Sequence, residues 1–275
     1  MLNIFFRKSE GANQMSFLDH LESLRWVILR SFLATLVFGI VLFLNKSFIF
    51  DTIIFAPKRP DFITYKIMCR LGKIIGMENF CLGNIDFDII NINMSSQFVL
   101  HIQIALILGI VFASPYILWE IWNFVKPALY DKEKKYATGL VFASSTLFLV
   151  GVAFGYYIIT PFSISFLGSY SISEQVKNAI NLESYIDTIT MLILSCGISF
   201  ELPMAIYFLS KIGLVTPKFL RQYRKHAIII ILVVSAILTP LPDAFSQILI
   251  SLPIYLLYEL SIFVSAKVQK GASKE

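Results

Sequence analysis

Long uncharged apolar runs alternate along this chain with shorter segments rich in Lys, Arg, Asp and Pro. A bilayer core of roughly 30 Å takes about 20 apolar residues in helix, and at least four runs reach that length. The pattern predicts helices over residues 26–45, 98–124, 137–160 and 185–210, followed by 226–238 and 244–264, six spans in all. The fifth holds thirteen residues before Thr239, Pro240 and Pro242 stop it. That is about 20 Å of helix, less than the hydrocarbon thickness, so neighbours must shield it or the bilayer must thin beside it. The sixth is longer but interrupted in character, with Ser246, Gln247, Ser251, Pro253 and Glu259 along it. The expected fold class is an all-α integral membrane protein with short last two spans and a concave polar recess. Ahead of the first span, Phe17, Leu18, Leu21 and Leu24 recur at helical spacing. Ser16 can cap that helix with Asp19 three residues on, and His20, Glu22, Ser23 and Arg25 take the polar side.

Composition agrees: 57% of residues are hydrophobic and 15% charged, and mean hydropathy is positive. Such a chain aggregates in water. Basic residues near span ends set orientation. Arg7, Lys8, Arg25 and Arg30 precede or open the first span; Lys126, Lys132, Lys134 and Lys135 follow the second; Lys211, Lys218, Arg221, Arg224 and Lys225 precede the fifth; Lys267, Lys270 and Lys274 end the chain. Both termini are expected in the cytoplasm, with residues 1–25 an amphipathic N-terminus, 46–97 a long periplasmic loop and 265–275 a tail. The formal charge of +5 reports this topology and does not argue for nucleic acid. The first apolar run reads as a retained anchor, and the acidic Glu10, Asp19 and Glu22 are unlike an organellar transit segment. A bacterial cytoplasmic membrane is the expected location. Cys69 and Cys81 fall in the outer loop, where an oxidising compartment can pair them, and Cys196 lies within the fourth span. No metal or cofactor is expected: two cysteines twelve apart without a nearby His make a poor zinc site, and His20, His101 and His226 are scattered. Residues 1–275 read as one polytopic domain.

Three carboxylates lie within the apolar runs. An acidic group at a span centre costs roughly 3 kcal/mol and usually faces a cavity or a partner. Glu120, beside Trp119 and Trp122, reads as an interfacial residue of an aromatic belt. Glu259 suits a structural hydrogen bond or a functional role equally. Glu201 stands about five residues past the centre of its run, before Leu202 and Pro203, whose missing amide frees a carbonyl near Ser199. A kinked polar spot facing a functional cavity is the expectation there.

The run His20-Leu21-Glu22-Ser23-Leu24-Arg25 resembles the His-Leu-x-Glu-Leu-Arg signature before the first span of the TatC family, the multi-spanning receptor of the twin-arginine protein translocase. Further blocks resemble it in order: Ser114-Pro115 through Trp119, Trp122, Phe124, Pro127, Ala128-Leu129-Tyr130 and Glu133; Ser199-Phe200-Glu201-Leu202-Pro203; Leu238-Thr239-Pro240 and Pro242-Asp243; and Phe245-Ser246-Gln247. The resemblance implies export of folded proteins carrying paired arginines, driven by the proton motive force. It implies TatA and TatB type single-span partners and self-association in the receptor complex. Two guanidiniums need fixed carboxylates for forked, charge-assisted contacts that Lys does not reproduce. In the family those acids are the second acidic position of the N-terminal motif and the glutamate of the first cytoplasmic loop. Glu133 takes the latter place, but Ser23 stands at the former. Glu22 is adjacent, about 100° away around a helix. The implied signal-peptide site is Glu133 with Glu22, Phe124, Leu21, Leu24 and Arg25. Glu201, with Pro203 and Gln247, would receive a polar side chain of a partner helix; Pro57, Pro240 and Asp243 would shape loops.

The alternative is a secondary transporter or ion channel with Glu201 as a proton or cation site. Against it, no inverted repeat or matched pair of interrupted helices is visible.

Overall fold

The computed structural model of the chain describes residues 17–76, 87–125, 137–171, 173, 178–238 and 244–272. Five helical stretches are long and apolar enough to cross a membrane: His20–Leu44, Ser96–Val125, Gly139–Ser169, Leu182–Lys211 and Gln247–Gln269. With no Pro between residues 17 and 44, the amphipathic approach and the first span form one helix, α1, Phe17–Leu44. The long loop that follows is folded. A π-helical turn, Phe48–Ile54, leads into a 3-10 turn, Ala56–Lys58, and then into α2, Ile63–Ile75, which Gly76 ends with φ +75°. Strand β1, Asp88–Ile90, then pairs in parallel with β2, Ala179–Asn181, with Ile89 opposite Ile180. This two-stranded sheet is an addition to the expected all-α fold.

Helix α3, Ser96–Val125, is the second span. The third is α4, Ala137–Phe154, continued by a π-helical turn, Gly155–Ile159, and α5, Thr160–Ser169. It runs nine residues past its expected end, through Pro161, and the carbonyl of Tyr157, four residues before that proline, accepts from the Thr64 hydroxyl instead. The fourth span is α6, Leu182–Phe200, and α7, Leu202–Lys211, joined at Glu201. After a short α8, Pro217–Gln222, come α9, Arg224–Leu238, and α10, Ala244–Ala272. At 15 residues α9 is short, as its sequence requires. The expectation of a short, interrupted sixth span is corrected: α10 has 29 residues and continues through Pro253. A single proline removes one ladder bond, which the rest of a long packed helix tolerates. Residues 265–272, expected to belong to a tail, are its last turns.

Glycines set how close the spans come. A Cβ on Gly151 would lie 2.7 Å from the Cys196 carbonyl oxygen and 2.7 Å from the Phe200 Cβ; one on Gly155 would lie 3.0 Å from the Cys196 Cβ. Gly197 returns the contact, with Val152 and Phe148 at 2.9 and 3.0 Å. The Gly151-x-x-x-Gly155 spacing thus seats α4 backbone-close on α6, the packing that lipid favours because apolar bulk alone gives helices no reason to associate there. On the other flank a Cβ on Gly109 would meet the Thr35 carbonyl at 2.8 Å, sealing α3 to α1.

At the end that carries α2, tyrosine hydroxyls satisfy the carbonyls that the irregular turns leave over. Tyr156 donates to Ile53 at 2.8 Å, Tyr185 to Ile54 at 3.1 Å, and the Tyr65 hydroxyl lies within reach of the Pro57 and Pro161 carbonyls at 2.9 and 3.1 Å. Burial pushes the Tyr65 phenol well above its ordinary pKa, keeping it a donor. Cys69 of α2 is in a disulfide and Cys196 is a buried free thiol; Cys81 lies outside the described residues.

Replacing Gly151 with Val is expected to cost about 1–3 kcal/mol through overpacking, seen as a lower thermal midpoint in detergent. Gly139→Ala, whose Cβ meets nothing within 4 Å, should leave the midpoint unchanged or slightly higher. Equal midpoints for the two variants would refute a glycine-dependent seam.

Candidate functional site

Glu201 sits where the fourth span breaks. Pro203 cannot donate, so the ladder restarts on the Glu201 carbonyl, which takes the amides of Met204 and Ala205 at 3.0 and 2.9 Å, while the Glu201 amide turns back to Ile198 at 3.1 Å. Ten residues, about 15 Å of helix, separate it from Lys211. Its side chain is half-buried and lies across the α4–α6 seam. The Ser144 hydroxyl of α4 donates to Oε2 at 2.6 Å; the other oxygen, Oε1, is buried and has no partner among the described residues. Neighbouring Ile198 is 66% exposed. Glu201 therefore keeps a carboxyl oxygen that the fold leaves unpaired within the apolar layer, one helical turn from an exposed surface at Ile198.

A second polar group lies where α1 begins and α3 ends. The His20 ring stacks on Phe124 with centroids 4.2 Å apart and planes 24° apart. Leu21, Glu22, Leu24 and Arg25 are exposed around it. One turn inward on α3, Glu120 is only 3% exposed, accepts a hydrogen bond from the Tyr116 hydroxyl at 2.9 Å, and has the Arg30 guanidinium 3.7 Å away. The aromatic-belt reading of Glu120 is thereby corrected. Trp119, one position earlier, faces outward at 46% exposure, whereas Glu120 is turned onto α1.

The remaining candidates separate from these two groups. Gln247 donates to the Leu232 carbonyl at 2.9 Å, bridging α10 to α9. Glu259 pairs with Arg224 at 2.7 Å and accepts from Tyr255 at 3.2 Å, which resolves its two readings in favour of a structural tie between the same helices. Pro57 is fully buried under the Tyr65 hydroxyl. Glu133, Pro240, Asp243 and Cys81 lie outside the described residues. Sequence reasoning missed Ser144, although adjacent Ser144 and Ser145 in an apolar run were a visible signal. It also missed the Gln103–Asp187 bond of 2.8 Å between α3 and α6. A cavity of about 660 Å³ lies near the start of α6, lined by Phe87, Leu167, Tyr170, Ile180, Tyr185 and Thr188. It is mainly apolar, and about 20 Å of helix separates Thr188 from Glu201.

Comparison with known proteins converges on one family. Residues 19–253 match the family model described as Sec-independent protein translocase protein (TatC). The chain is 41% identical over 260 residues to the Sec-independent protein translocase protein TatC of Blattabacterium sp. subsp. Periplaneta americana (strain BPLAN), covering 94% of this chain and 97% of the relative. Identity to the TatCy protein of Bacillus subtilis (strain 168) is 34%, over 95% of this chain and 93% of the relative. Two crystal structures of a twin arginine translocase receptor, TatC, share the fold. One superposes with a TM-score of 0.69 at 29% identity, covering 91% of this chain and 99% of that one. The other, in DDM, gives 0.71 at 30% identity, covering 90% and 99%.

Ser144→Ala leaves Glu201 without its hydroxyl donor. A loss of about 1–3 kcal/mol is expected, read as a lower thermal midpoint of the isolated subunit, whereas Ser144→Thr should keep most of it. Identical midpoints in all three proteins would show that the bond contributes nothing.

Proposed function

The chain belongs to the TatC family of Sec-independent protein translocase proteins, and on that premise we propose that it is the receptor and core subunit of a twin-arginine translocase. It binds twin-arginine signal peptides and organises the export of folded proteins driven by the proton motive force. It is a multi-pass membrane protein of the bacterial cytoplasmic membrane. Its six crossings are α1, α3, α4 with α5, α6 with α7, α9 and α10, and both ends of the chain face the cytoplasm. The basic residues between α7 and α9, from Lys211 to Lys225, support that orientation. The 15 residues of α9 make about 22 Å of helix, which supports local thinning of the bilayer beside it.

The observation that carries this reading is the buried, unpartnered oxygen of Glu201. An uncompensated polar atom in hydrocarbon is costly, and a polar side chain on a neighbouring helix relieves it. TatA and TatB type single-span helices supply that side chain. Pro203 holds the break that aims the carboxyl group, while Gln247, whose amide is spent on the Leu232 carbonyl, steadies the turn between the last two spans, which Pro240 and Asp243 shape. At the cytoplasmic end, Glu133 receives one arginine of the signal peptide, with Glu22 and Arg25 around it; Phe124, Leu21 and Leu24 provide the apolar floor beside His20. Pro57 shapes the outer loop. Copies of the subunit associate in the receptor complex.

The test uses membranes of a TatC-deficient bacterium that expresses this chain with partner subunits from the same source. Glu133→Gln should weaken photocrosslinking of a twin-arginine precursor by roughly tenfold or more, the loss of one charge-assisted contact. Glu201→Ala should leave that crosslink unchanged while lowering co-purification of the single-span partners and abolishing export. Unchanged partner recovery with Glu201→Ala, or equal labelling by precursors carrying a Lys pair, would overturn the reading.

A further inference from the structure

The register between the first two long helices bears on how the chain recognises cargo without an acid at residue 23. Helices α1 and α3 run antiparallel, and several contacts fix their pairing. His20 stacks on Phe124, Thr35 and Gly39 meet Gly109, Gly39 meets Ala105, and Phe43 stacks on His101 at 4.0 Å. Fifteen residues along α1, from His20 to Thr35, match fifteen back along α3, from Phe124 to Gly109, and steps of four continue the match. The same register puts Leu24 level with Glu120. Positions 23, 27, 31, 35, 39 and 43 of α1 are less exposed than the residues immediately following each, so this stripe faces α3. On α3 the stripe through 101, 105, 109, 113, 120 and 124 faces back. Ser23 and Glu120 therefore stand at one depth on facing sides of the same seam.

Glu120 is built to hold a guanidinium. Its carboxylate is almost wholly buried, the Tyr116 hydroxyl fixes Oε1, and Arg30 reaches the same oxygen from α1 while its own side chain is 57% exposed. A buried carboxylate that loses its cation is strongly destabilised, whereas one guanidinium exchanged for another leaves the charge compensated throughout. Arg30, whose side chain is more exposed than buried while that of Glu120 is almost wholly covered, is the partner that can be given up.

We propose that Glu120 supplies, from the second span, the carboxylate that Ser23 does not bring to the signal-peptide site, taking one guanidinium of the arginine pair in exchange for Arg30. This rests on the receptor reading above. The second span then takes over a task that the N-terminal motif performs elsewhere in the family, and Glu120 does so one turn from Phe124 and the His20 ring stacked on it. A lysine in the peptide cannot fork onto a carboxylate already oriented by Tyr116, so the Arg pair is selected at this position too.

The experiment measures photocrosslinking and affinity of a twin-arginine precursor in membranes containing the full chain and its partner subunits. Glu120→Gln should weaken binding roughly ten- to a hundred-fold. Adding Ser23→Glu to that variant should restore most of it, because the charge returns at the same depth on the facing helix. On the unaltered chain, a photoreactive group beside the second arginine should label the α3 segment 116–125. Undiminished binding by Glu120→Gln, failure of Ser23→Glu to rescue a normally abundant protein, or labelling confined to residues 126–136 would each overturn the proposal. The receptor reading fails separately, if the unaltered chain binds Arg-pair and Lys-pair precursors equally.

Discussion

Backbone contact at glycine is the constraint on which the rest of this structure depends. In a bilayer the tails are as apolar as leucine, so helices associate through close packing and interhelical hydrogen bonds, both of which need near approach. Gly151, Gly155 and Gly197 bring α4 and α6 together, and Gly39 and Gly109 bring α1 and α3 together. Each seam then sets the depth of a carboxylate. One turn beyond Gly197 along α6 lies Glu201, and α4 at that level presents Ser144. Toward the end of the other seam where α1 begins and α3 ends, α3 presents Glu120 to α1. Neither acid could be held in its place if the helices stood a side chain further apart.

Most polar side chains in the spans are consumed within the molecule. Ser210 donates to Ser265 at 2.8 Å, Arg224 to Glu259 at 2.7 Å, Gln103 to Asp187 at 2.8 Å, and His101 lies 3.0 Å from the Phe43 carbonyl. These bonds join α7 to α10, α9 to α10, α3 to α6 and α1 to α3, and hold the bundle where apolar surface is indifferent to which neighbour it meets. Among the described residues the buried hydroxyls of Ser96, Ser145, Thr160 and Ser163 also have no partner, and Glu201 is the carboxyl group that departs from the pattern. It gives one oxygen to the fold and leaves the other buried and unpartnered. A group of that kind supports assembly with another helix better than passage of a solute: the cavity near α6 is mainly apolar and about 20 Å away, and the match to a translocase family spans residues 19–253.

Much of this was legible in the sequence. Hydrophobic length alone located the five helical stretches that are long and apolar enough to cross a membrane, because the bilayer imposes the same requirement on each of them. The break at Glu201 was legible from Pro203, since a missing amide acts on the backbone locally. Three features were not. The extent of α10 was hidden because a lone proline and scattered serines resemble an interruption while costing a long packed helix little. The folded outer loop was hidden because its order comes from tyrosine hydroxyls reaching carbonyls about a hundred residues away in sequence, as Tyr156 does to Ile53. Glu120 was misread because tryptophans on either side in sequence suggested an interface, whereas the direction in which a helical residue points depends on which neighbour the helix packs against. Ser144 was legible in principle, as one of two adjacent hydroxyls in an apolar run, but its partner lies on another helix.

On the proposed reading, the two acids make recognition and assembly separate operations on one small subunit. Glu120 lies five residues, about 7.5 Å of helix, from the end of α3 at Val125, and in the exchange proposed above its burial stays compensated by one arginine or another. Glu201 lies about 15 Å of helix from Lys211, where no hydrated cation reaches it without disrupting the bilayer, so its partner must come laterally, already inserted. The depth of each carboxylate thus selects the kind of polypeptide it meets: a peptide carrying charge from the aqueous side in one case, a neutral polar group on a membrane helix in the other. Both depths are set by glycine seams in one bundle, and α3, which carries Glu120, packs against α4 and α6, the helices that hold Ser144 and lead into Glu201.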